Sequence, residues 1–283
     1  MLRSLNSAVS GMQQFQDQMD VIGNNIANVN TTGFKSARVN FAESFSDTLR
    51  ASLPGDGTTS GAPAMQIGSG VAIGSIRNQY LQGTLSQTSV PSDLAISGDG
   101  FFIVKDALAN SEFATRAGNF HLDQNGYLVT EGGLRVQGFA DAGLSQRGDI
   151  RIDATGAPEG AAANAKVASY SVGSDGRISV RLSDGTTFVR GQVLLQKFSD
   201  PQGLVKQGGN LFTGMEGAGP LPAPVAPESS GLGKLNAGYL ELSNVDLANE
   251  FSTLIVTQRA FQASARMITT SDELLQELVN LKR

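Results

Sequence analysis

Hydrophobic residues near both ends of the chain recur at alternating intervals of three and four residues, whereas those in the middle do not. This spacing places them along one side of an α-helix, as in the seam of a coiled coil. We predict an N-terminal helix that is capped by Ser4 and ends near 28–33, where Asn30 and Gly33 favour termination. Its seam consists of Leu2, Leu5, Val9, Met12, Gln16, Met19, Gly23 and Ile26, with Phe15, Ile22 and Val29 in a second row beside it.

The C-terminal end carries a matching seam. With Ser243 or Asn244 as its cap, the predicted helix runs to about Leu281 and is roughly 55 Å long at about 1.5 Å per residue. Ile255 and Val256 widen its apolar side beyond a two-stranded seam. The positions in the seam are Leu247, Phe251, Leu254, Gln258, Phe261, Ala265, Ile268, Asp272, Leu275 and Val279.

Both helices need a partner, because most of the stability of an amphipathic helix comes from packing its apolar face. We expect them to pair with each other as a coiled coil and to contact other copies of the chain; a helix pair within a monomer is the alternative. Asn24, Asn25 and Asn28 are candidates for fixing the register, as buried Asn does in coiled coils. Small residues that allow close helix approach are Gly11, Gly23, Ala27, Ala260, Ala263 and Ala265. The expected coiled-coil and polymerisation interface comprises Leu2, Leu5, Val9, Met12, Met19, Ile22, Ile26, Leu247, Phe251, Leu254, Phe261, Ile268, Leu275 and Leu278.

The middle of the chain has the pattern of β-strands separated by turns such as Asn125–Gly126 and Gly132–Gly133. Because no helical pattern intervenes, an antiparallel sandwich or barrel is favoured. The candidate strands are 100–105, 112–122, 127–130, 134–139, 167–172, 177–182 and 186–198.

Two segments rich in Gly, Pro and Ser, 54–74 and 217–238, are typical of extended connectors. The predicted fold class is therefore α+β, with paired terminal helices and an inserted, mainly β domain. The expected domains are a helical domain of 1–33 with 243–283, extended connectors at 34–75 and 217–242, and a β domain at 76–216.

Composition excludes several classes of protein. The net charge is −5 and no basic run is longer than Lys282–Arg283, so we expect no nucleic acid partner. The absence of cysteine excludes disulfides and Cys-ligated zinc. No stretch approaches the roughly 20 apolar residues of a membrane span, so membrane insertion is not expected. The N-terminus lacks the apolar stretch of a secretory signal peptide, and any export is expected to use another route.

No arrangement of residues indicates catalysis. His121, the only histidine, falls in a strand pattern and is expected on the surface. The segment Asp123–Gly126 lacks the full calcium-loop pattern and is expected to be a hairpin turn. The glycines of Gly68–Gly74 do not have the spacing of a dinucleotide-binding loop. We therefore predict no enzyme activity, cofactor or metal; a monomeric adhesin-like β protein and, more remotely, an esterase are the rival interpretations.

Four groups of motifs, in order along the chain, resemble the flagellar hook and rod axial proteins. The N-terminal group is Leu5–Met12 with Met19–Lys35, and it includes the family motif residues Asn24, Asn25, Asn28, Gly33 and Phe34. The other groups are Ser92–Val104, then Thr115–Phe120 with Leu122–Val129, and finally Ser243–Leu247 with Gln258–Gln262 and Thr270–Arg283.

The resemblance implies a helical homopolymer in the bacterial flagellum, with the terminal helices forming an inner tube and the β domains lying outside it. It also implies export by the type III apparatus, and contacts with rod proteins, the hook cap and the hook–filament junction proteins. Asp20–Ile26 and Glu277–Arg283 are more similar to hook proteins, whereas 54–74 is similar to the long stretch of the distal rod protein. We predict a hook subunit, a flexible coupling that transmits torque, with the stiff distal rod as the alternative.

Overall fold

The computed structural model describes residues 2–52, 55, 60–158 and 165–281, except for the side chain of Leu2. The chain divides into two units that each contain non-contiguous segments. The helical unit consists of Met1–Ala27, Ser36–Gln79 and Val245–Arg283, and the β unit consists of Asn28–Lys35 and Tyr80–Asn244. The architecture is two long helices and a large, mainly antiparallel β unit, as the α+β fold class anticipates.

Two antiparallel helices, α1 (Leu2–Ala27) and α2 (Leu247–Leu281), lie side by side in the helical unit. Ser4 lies inside α1 and is not its cap. The cap of α2 is Asp246, whose Oδ1 accepts hydrogen bonds from the backbone N–H groups of Ala248 and Asn249 at 3.0 and 3.3 Å. A carboxylate here also interacts favourably with the helix dipole, which explains why α2 begins later than the predicted caps Ser243 and Asn244.

Two antiparallel strand pairs complete the helical unit. Strands β1 (Ala37–Glu43) and β4 (Val71–Asn78) pair with an irregularity between Asn40 and Phe41. Strands β2 (Ser46–Arg50) and β3 (Met65–Gly68) form a second ribbon. The segment for which an extended connector was predicted is therefore largely paired; part of it, 53–54 and 56–59, lies outside the described residues.

The β unit contains the remaining strands. They are β5 (Leu85–Gln87), β6 (Leu94–Ser97), β7 (Phe101–Lys105), β8 (Glu112–Thr115), β9 (Phe120–Leu122), β10 (Leu128–Thr130), β11 (Arg135–Phe139), β12 (Arg147–Asp149), β13 (Val167–Val172), β14 (Arg177–Leu182), β15 (Thr187–Val193), β16 (Leu195–Gln196), β17 (Val205–Gly208), β18 (Leu211–Thr213), β19 (Lys234–Ala237) and β20 (Tyr239–Glu241).

The main sheet has the order β13-β14-β15-β11-β7-β8-β18-β17, with β9, β10, β12 and β16 attached at its sides. Two further pairs, β19 with β6 and β20 with β5, lie outside this path. Residues 234–241 were predicted to be connector, yet they form strands because their partners lie at the start of the β unit.

Apolar side chains from most of these strands form the core of the β unit. One cluster centres on Leu94, Ile96, Phe102, Val104 and Leu195, all fully buried. A second cluster contains Phe101, Ile103, Phe198, Leu204 and Phe212. Burial of apolar surface at about 25 cal/mol per Å² makes these clusters the main source of stability of the unit.

The predicted strands are present, but two of them, 112–122 and 186–198, are each divided into two shorter strands. The segment 112–122 is split into β8 and β9, because Gly118 packs against the backbone of Leu94 and its carbonyl accepts a hydrogen bond from the Leu94 N–H at 3.0 Å. His121 is exposed on β9, as predicted. Asp123 accepts hydrogen bonds from the N–H groups of Asn125 and Tyr127, both at 2.8 Å, which forms the predicted turn.

Candidate assembly surface

The face of α2 that contacts α1 follows a regular seam. Eight of its partly or fully buried positions alternate by four and three residues: Glu250, Leu254, Thr257, Phe261, Ser264, Ile268, Ser271 and Leu275. Thr253, Ala260 and Ala265 are partly buried beside them. On α1, Asn25 lies beside Glu250, and Gly11 lies beside Ser264, where an added Cβ would be at an ordinary contact distance of 3.6 Å from Ser264 Oγ.

Half of the α2 seam is offset by one residue from the predicted one. Thr257 and Ser271 are buried where Gln258 and Asp272 were expected. Each buried hydroxyl donates to a carbonyl one turn earlier in α2, Thr253 at 2.8 Å and Met267 at 2.7 Å. Because these bonds satisfy the hydroxyls locally, small polar residues can occupy a helix contact that a purely hydrophobic pattern assigns to their neighbours.

The predicted interface residues occupy three environments in the single chain. Ile22 is buried. Partly buried positions are Leu5, Met12, Met19, Ile26, Leu254, Phe261, Ile268 and Leu275. Exposed positions are Val9, Leu247, Phe251 and Leu278, and the side chain of Leu2 lies outside the described residues. Their participation in contacts between copies stays a prediction.

The large apolar side chains exposed on α2 form two groups, apart from Val279 in the last turn of the helix. We call Leu247, Phe251 and Ile255 the N-terminal patch. The C-terminal stripe consists of Val256, Met267, Leu274, Leu278 and Leu281. Exposed apolar surfaces of this extent mark sites of contact with other proteins.

Asn25 is the buried asparagine of the N-terminal motif. Its Nδ2 donates to the carbonyl of Ala37 at 2.8 Å, and its Oδ1 accepts from the Ala37 N–H at 3.0 Å. The same Nδ2 lies 3.2 Å from Oε1 of Glu250 on α2. Burial raises the pKa of Glu250, and the nearby Asp246 carboxylate adds to this effect. Asn25 thus joins α1, β1 and α2; its role in fixing the register of the helix pair stays a prediction.

The other motif residues have separate local roles. Asn24 is exposed on α1, and the side-chain oxygen of Asn28 accepts from the Thr31 hydroxyl at 3.1 Å. Gly33 has φ +69°, and a Cβ there would lie 2.6 Å from the Ala117 nitrogen, so only glycine fits. Phe34 is buried beneath the Lys206 ammonium, whose Nζ lies 4.8 Å from the ring centroid.

A buried ion cluster in the β unit had not been predicted. Glu241 at the end of β20 lies between Lys35 and Arg116: its Oε1 is 2.6 Å from Lys35 Nζ, and its Oε2 is 3.0 Å from Arg116 Nε. The side chains of Lys35 and Glu241 are 1% and 0% exposed. Two backbone groups add bonds, since Lys35 donates to the Leu81 carbonyl and the Gly83 N–H donates to Glu241 Oε1.

This cluster carries one net positive charge in a buried setting. Burial lowers the pKa of both Lys35 and Arg116, and the charge of Glu241 opposes this effect. Lys35 ends the N-terminal motif and Arg116 belongs to the central motif, so the motifs named two of the three residues. Their proximity could not be inferred, because 206 residues separate Lys35 from Glu241.

The ribbon formed by β2 and β3 exposes residues on both of its faces. Every residue in both strands is exposed, including the large side chains of Leu49, Met65 and Ile67. Phe45, which precedes β2, is 82% exposed. A two-stranded ribbon is at best marginally stable in water without cover, so this ribbon is a second candidate surface for contact with other molecules.

Potential metal ligands are dispersed among the described residues. Within the described ranges, no three potential His, Cys, Asp or Glu ligands lie together. Neither described helix has the length and apolar character that crossing a membrane requires. The notable features of the molecule are surfaces and structural contacts.

Three family models match separate parts of the chain. Residues 5–35 match "Flagella basal body rod protein", 95–180 match "Flagellar hook protein FlgE/F/G D1 domain", and 236–281 match "Flagellar basal body rod FlgEFG protein C-terminal". The matched ranges contain Asn25, Lys35, Arg116, Glu241 and all of α2. The residues that organise both units are therefore covered by these models.

Similar proteins align over the whole chain. The flagellar basal-body rod protein FlgG of Bacillus subtilis is 43% identical over 283 residues, and the alignment covers all of both chains. The FlgG protein of Borreliella burgdorferi is 36% identical over 286 residues, again covering both chains. The flagellar hook protein FlgE of the same organism is 28% identical over a longer alignment of 445 residues.

A crystal structure of the Helicobacter pylori flagellar hook protein FlgE2 matches 64% of this chain and 47% of its own at 14% identity. Its TM-score of 0.23 is too low to bear on the fold. The family models and the full-length relatives are structural proteins of the flagellum, not enzymes. The chain therefore belongs to the bacterial flagellar basal-body rod and hook protein family.

Proposed function

We propose that this chain is a subunit of the distal rod of the bacterial flagellum, where copies of it polymerise into a helical tube that acts as a stiff drive shaft. The observation that carries the proposal is the pair of uncovered apolar surfaces on α2. A single chain leaves these surfaces in water, and packing against other copies removes them from it. Contacts between unlike surfaces do not close on themselves, so they produce an open helical polymer.

The contact between α1 and α2 supports a coiled coil as the repeating element of the inner tube. Its buried positions alternate by three and four residues, and Asn25 supplies a polar contact that holds one register. The exposed members of the predicted interface, Val9, Leu247, Phe251 and Leu278, are available for contacts between copies.

The sequence motifs favoured a hook subunit, whereas the comparisons favour the rod. Relatives named as rod proteins reach 43% identity over chains of matching length, whereas the hook relative is 28% identical and aligns over 445 residues. The uncovered ribbon of β2 and β3 also supports a stiff polymer. If neighbouring subunits cover this ribbon, its additional contacts resist the sliding that bending requires.

The proposed partners follow from this assignment. They are other copies of the chain, neighbouring rod subunits and the hook at the distal end, with the hook cap and hook–filament junction proteins as partners only in the hook alternative. We propose that the chain reaches the flagellum through the type III export apparatus.

Imaging the full-length protein tests the proposal. Ammonium sulfate strengthens apolar association, so we expect straight tubes when the purified protein is salted out and viewed by negative-stain electron microscopy. Uniformly curved tubes would support the hook instead, and a compact single particle in every condition would contradict a filament subunit.

A pair of variants links assembly to the exposed surface of α2. Phe251→Asp places a charge on the N-terminal patch without disturbing the buried seam, and we expect it to fold normally but form no tubes. Ser252→Asp changes the adjacent exposed residue and serves as the control, which is expected to assemble. Equal assembly of both variants would remove this patch from the interface.

A further inference from the structure

The position of each residue around α2 divides the helix into four faces. At about 100° per residue, the seam against α1 occupies one face. The N-terminal patch of Leu247, Phe251 and Ile255 lies about 110° to one side of that seam, and the C-terminal stripe lies about 100° to the other side. The remaining face, opposite α1, carries Ser252, Arg259, Arg266 and Glu277 and is polar.

Both apolar surfaces are uncharged, although charged residues are present elsewhere on α2. Between Val256 and Leu281, Ala260 and Ala263 fall on the same side as the C-terminal stripe and extend it toward the N-terminus. The stripe positions follow intervals of three and four residues, apart from a gap near Thr270. The stripe is thus a second helix-packing seam, with small residues at one end that allow close approach.

These positions favour two different neighbours for each α2. The apolar surfaces lie on opposite sides of the α1 seam, so the two cannot both face one partner helix in a twofold contact. A helix with α1 on one face and apolar surfaces on both flanks fits a ring wall, in which each α2 has a neighbour on either side.

From this geometry we infer that the C-terminal stripe of one α2 packs against the N-terminal patch of α2 in an adjacent copy. This inference rests on the proposed function and identifies the surfaces that join one subunit to the next. The two helices run parallel, displaced by roughly 20 residues or about 30 Å along their axes. The same displacement brings Glu277 of one copy beside Arg259 of the next, so the polar rims carry opposite charges.

The size of the contact agrees with a polymer and not with a dimer. The exposed parts of the eight apolar side chains amount to roughly 900 Å², below the roughly 1,200–2,000 Å² that a stable pairwise interface buries. One such contact is too small to hold two subunits together, so association requires several contacts formed at once.

Cross-linking between introduced cysteines tests the contact, because the natural chain contains none. Ile255→Cys and Leu278→Cys each change one exposed residue, in the N-terminal patch and in the C-terminal stripe. Tubes assembled from an equal mixture are treated with a short bis-maleimide, which tolerates several ångströms of error in register. Tubes of each variant alone, and a mixture of Arg259→Cys with Arg266→Cys from the polar face, are the controls; the proposed register leaves the sites of this mixture at least roughly 20 Å apart along the helix axes.

We expect at least about fivefold more cross-linked dimer from the first mixture than from any control, because only a contact between unlike sites joins the two variants. Efficient cross-linking of Leu278→Cys alone would indicate a twofold contact and overturn the inference, as would equal cross-linking of the polar-face mixture. Tubes without cross-linking in the first mixture would overturn it while leaving the proposed function intact. Failure of the wild-type protein to form tubes would instead contradict the proposed function, and the inference with it.

Discussion

At the scale of single residues, the ion cluster of Lys35, Arg116 and Glu241 has the largest free-energy cost of burial. Removing each charge from water costs several kcal/mol, and only close pairing and complete hydrogen bonding offset this cost. Arg116 achieves this by donating also to the carbonyls of Gly98 and Gly100. Glu241 is the only acid in the cluster and neutralises one of two cations.

Replacing Glu241 is expected to be far more damaging than replacing Lys35. Glu241→Gln removes the carboxylate that pairs with both buried cations and leaves only the charge of Asp99 near Arg116, so it is expected to reduce the free energy of unfolding by about 3–5 kcal/mol. Lys35→Met leaves the Arg116–Glu241 pair intact and neutral, so a much smaller loss is expected. Urea unfolding followed by circular dichroism measures both.

The control for this comparison is Glu131→Gln, which removes the charge of an exposed glutamate in the β unit. Its effect is expected to stay within about 0.5 kcal/mol. Equal stability of Glu241→Gln and Glu131→Gln would show that the cluster is not needed for folding.

Gly118 provides a second prediction at this scale. A Cβ at this position would overlap the Leu94 carbonyl, and backbone atoms cannot move aside as a flexible side chain can. Gly118→Ala is therefore expected to destabilise the β unit by about 1–3 kcal/mol or more. Gly217→Ala, where nothing lies within 4 Å of the added Cβ, is the control and is expected to be nearly neutral. Thermal unfolding of both variants measures the difference.

At the scale of elements, the contact between α1 and α2 includes a titratable group. Because burial raises the pKa of Glu250 above its ordinary value of 4.5, the folded helical unit binds a proton there more readily than the unfolded chain does. The group therefore favours folding most below pH 4.5, and this contribution is lost as the pH rises through the raised pKa.

Glu250→Gln is expected to remove that pH dependence while keeping an oxygen that accepts from Asn25 Nδ2. The variant is predicted to be at least as stable as the wild type at neutral pH, and its advantage is expected to disappear as the pH falls toward 4.5. Urea unfolding monitored by the helical circular dichroism signal at several pH values measures the difference. A constant difference at all pH values would count against a buried, titrating Glu250.

The exposed ribbon of β2 and β3 leads to a prediction about stiffness. Replacing Phe45 and Leu49 with Ser changes exposed side chains, so the stability of the single chain is expected to change by less than about 0.5 kcal/mol for each substitution. Tubes of the double variant are expected to bend more, with a shorter persistence length in electron micrographs. Leu108→Ser, at a loop residue that is 98% exposed in the β unit, is expected to leave the stiffness unchanged.

The sequence predicted the elements better than their contacts. Periodicity located both helices and most strands, because intervals of two and of three to four residues are read directly from the chain. It missed the burial of Thr257 and Ser271, which depends on hydrogen bonds to their own helix, and the pairing of β19 and β20 with strands far earlier in the chain. The position of the Glu241 carboxylate between two motif cations likewise depends on contacts that no local pattern encodes.

At the scale of the whole molecule, the β unit is an insertion whose two ends are held together. The Gly33 N–H donates to the Glu241 carbonyl at 2.8 Å, and Lys206 Nζ donates to the Lys35 carbonyl at 2.9 Å. Insertion of one unit into another is tolerated when the ends of the insert are close together. The β unit therefore has the contacts of an independently stable domain.

A fragment of residues 28–244 is expected to fold and unfold cooperatively. It lacks α1 and α2, so it is also expected to remain monomeric, as measured by sedimentation, under salt conditions in which the full chain forms tubes. A matched fragment of residues 36–244 lacks Gly33, Phe34 and Lys35 and is expected to lose cooperative unfolding. Assembly of the first fragment into tubes would contradict a helical interface.

The distance along the chain between Lys35 and Glu241 has a consequence for biosynthesis. Translation proceeds from the N-terminus, and contacts of such long sequence separation form late because closing the intervening loop is slow and entropically costly. From the synthesis of Arg116 to that of Glu241, both cations are present without the carboxylate that neutralises one of them. The β unit therefore cannot close until translation has passed Glu241.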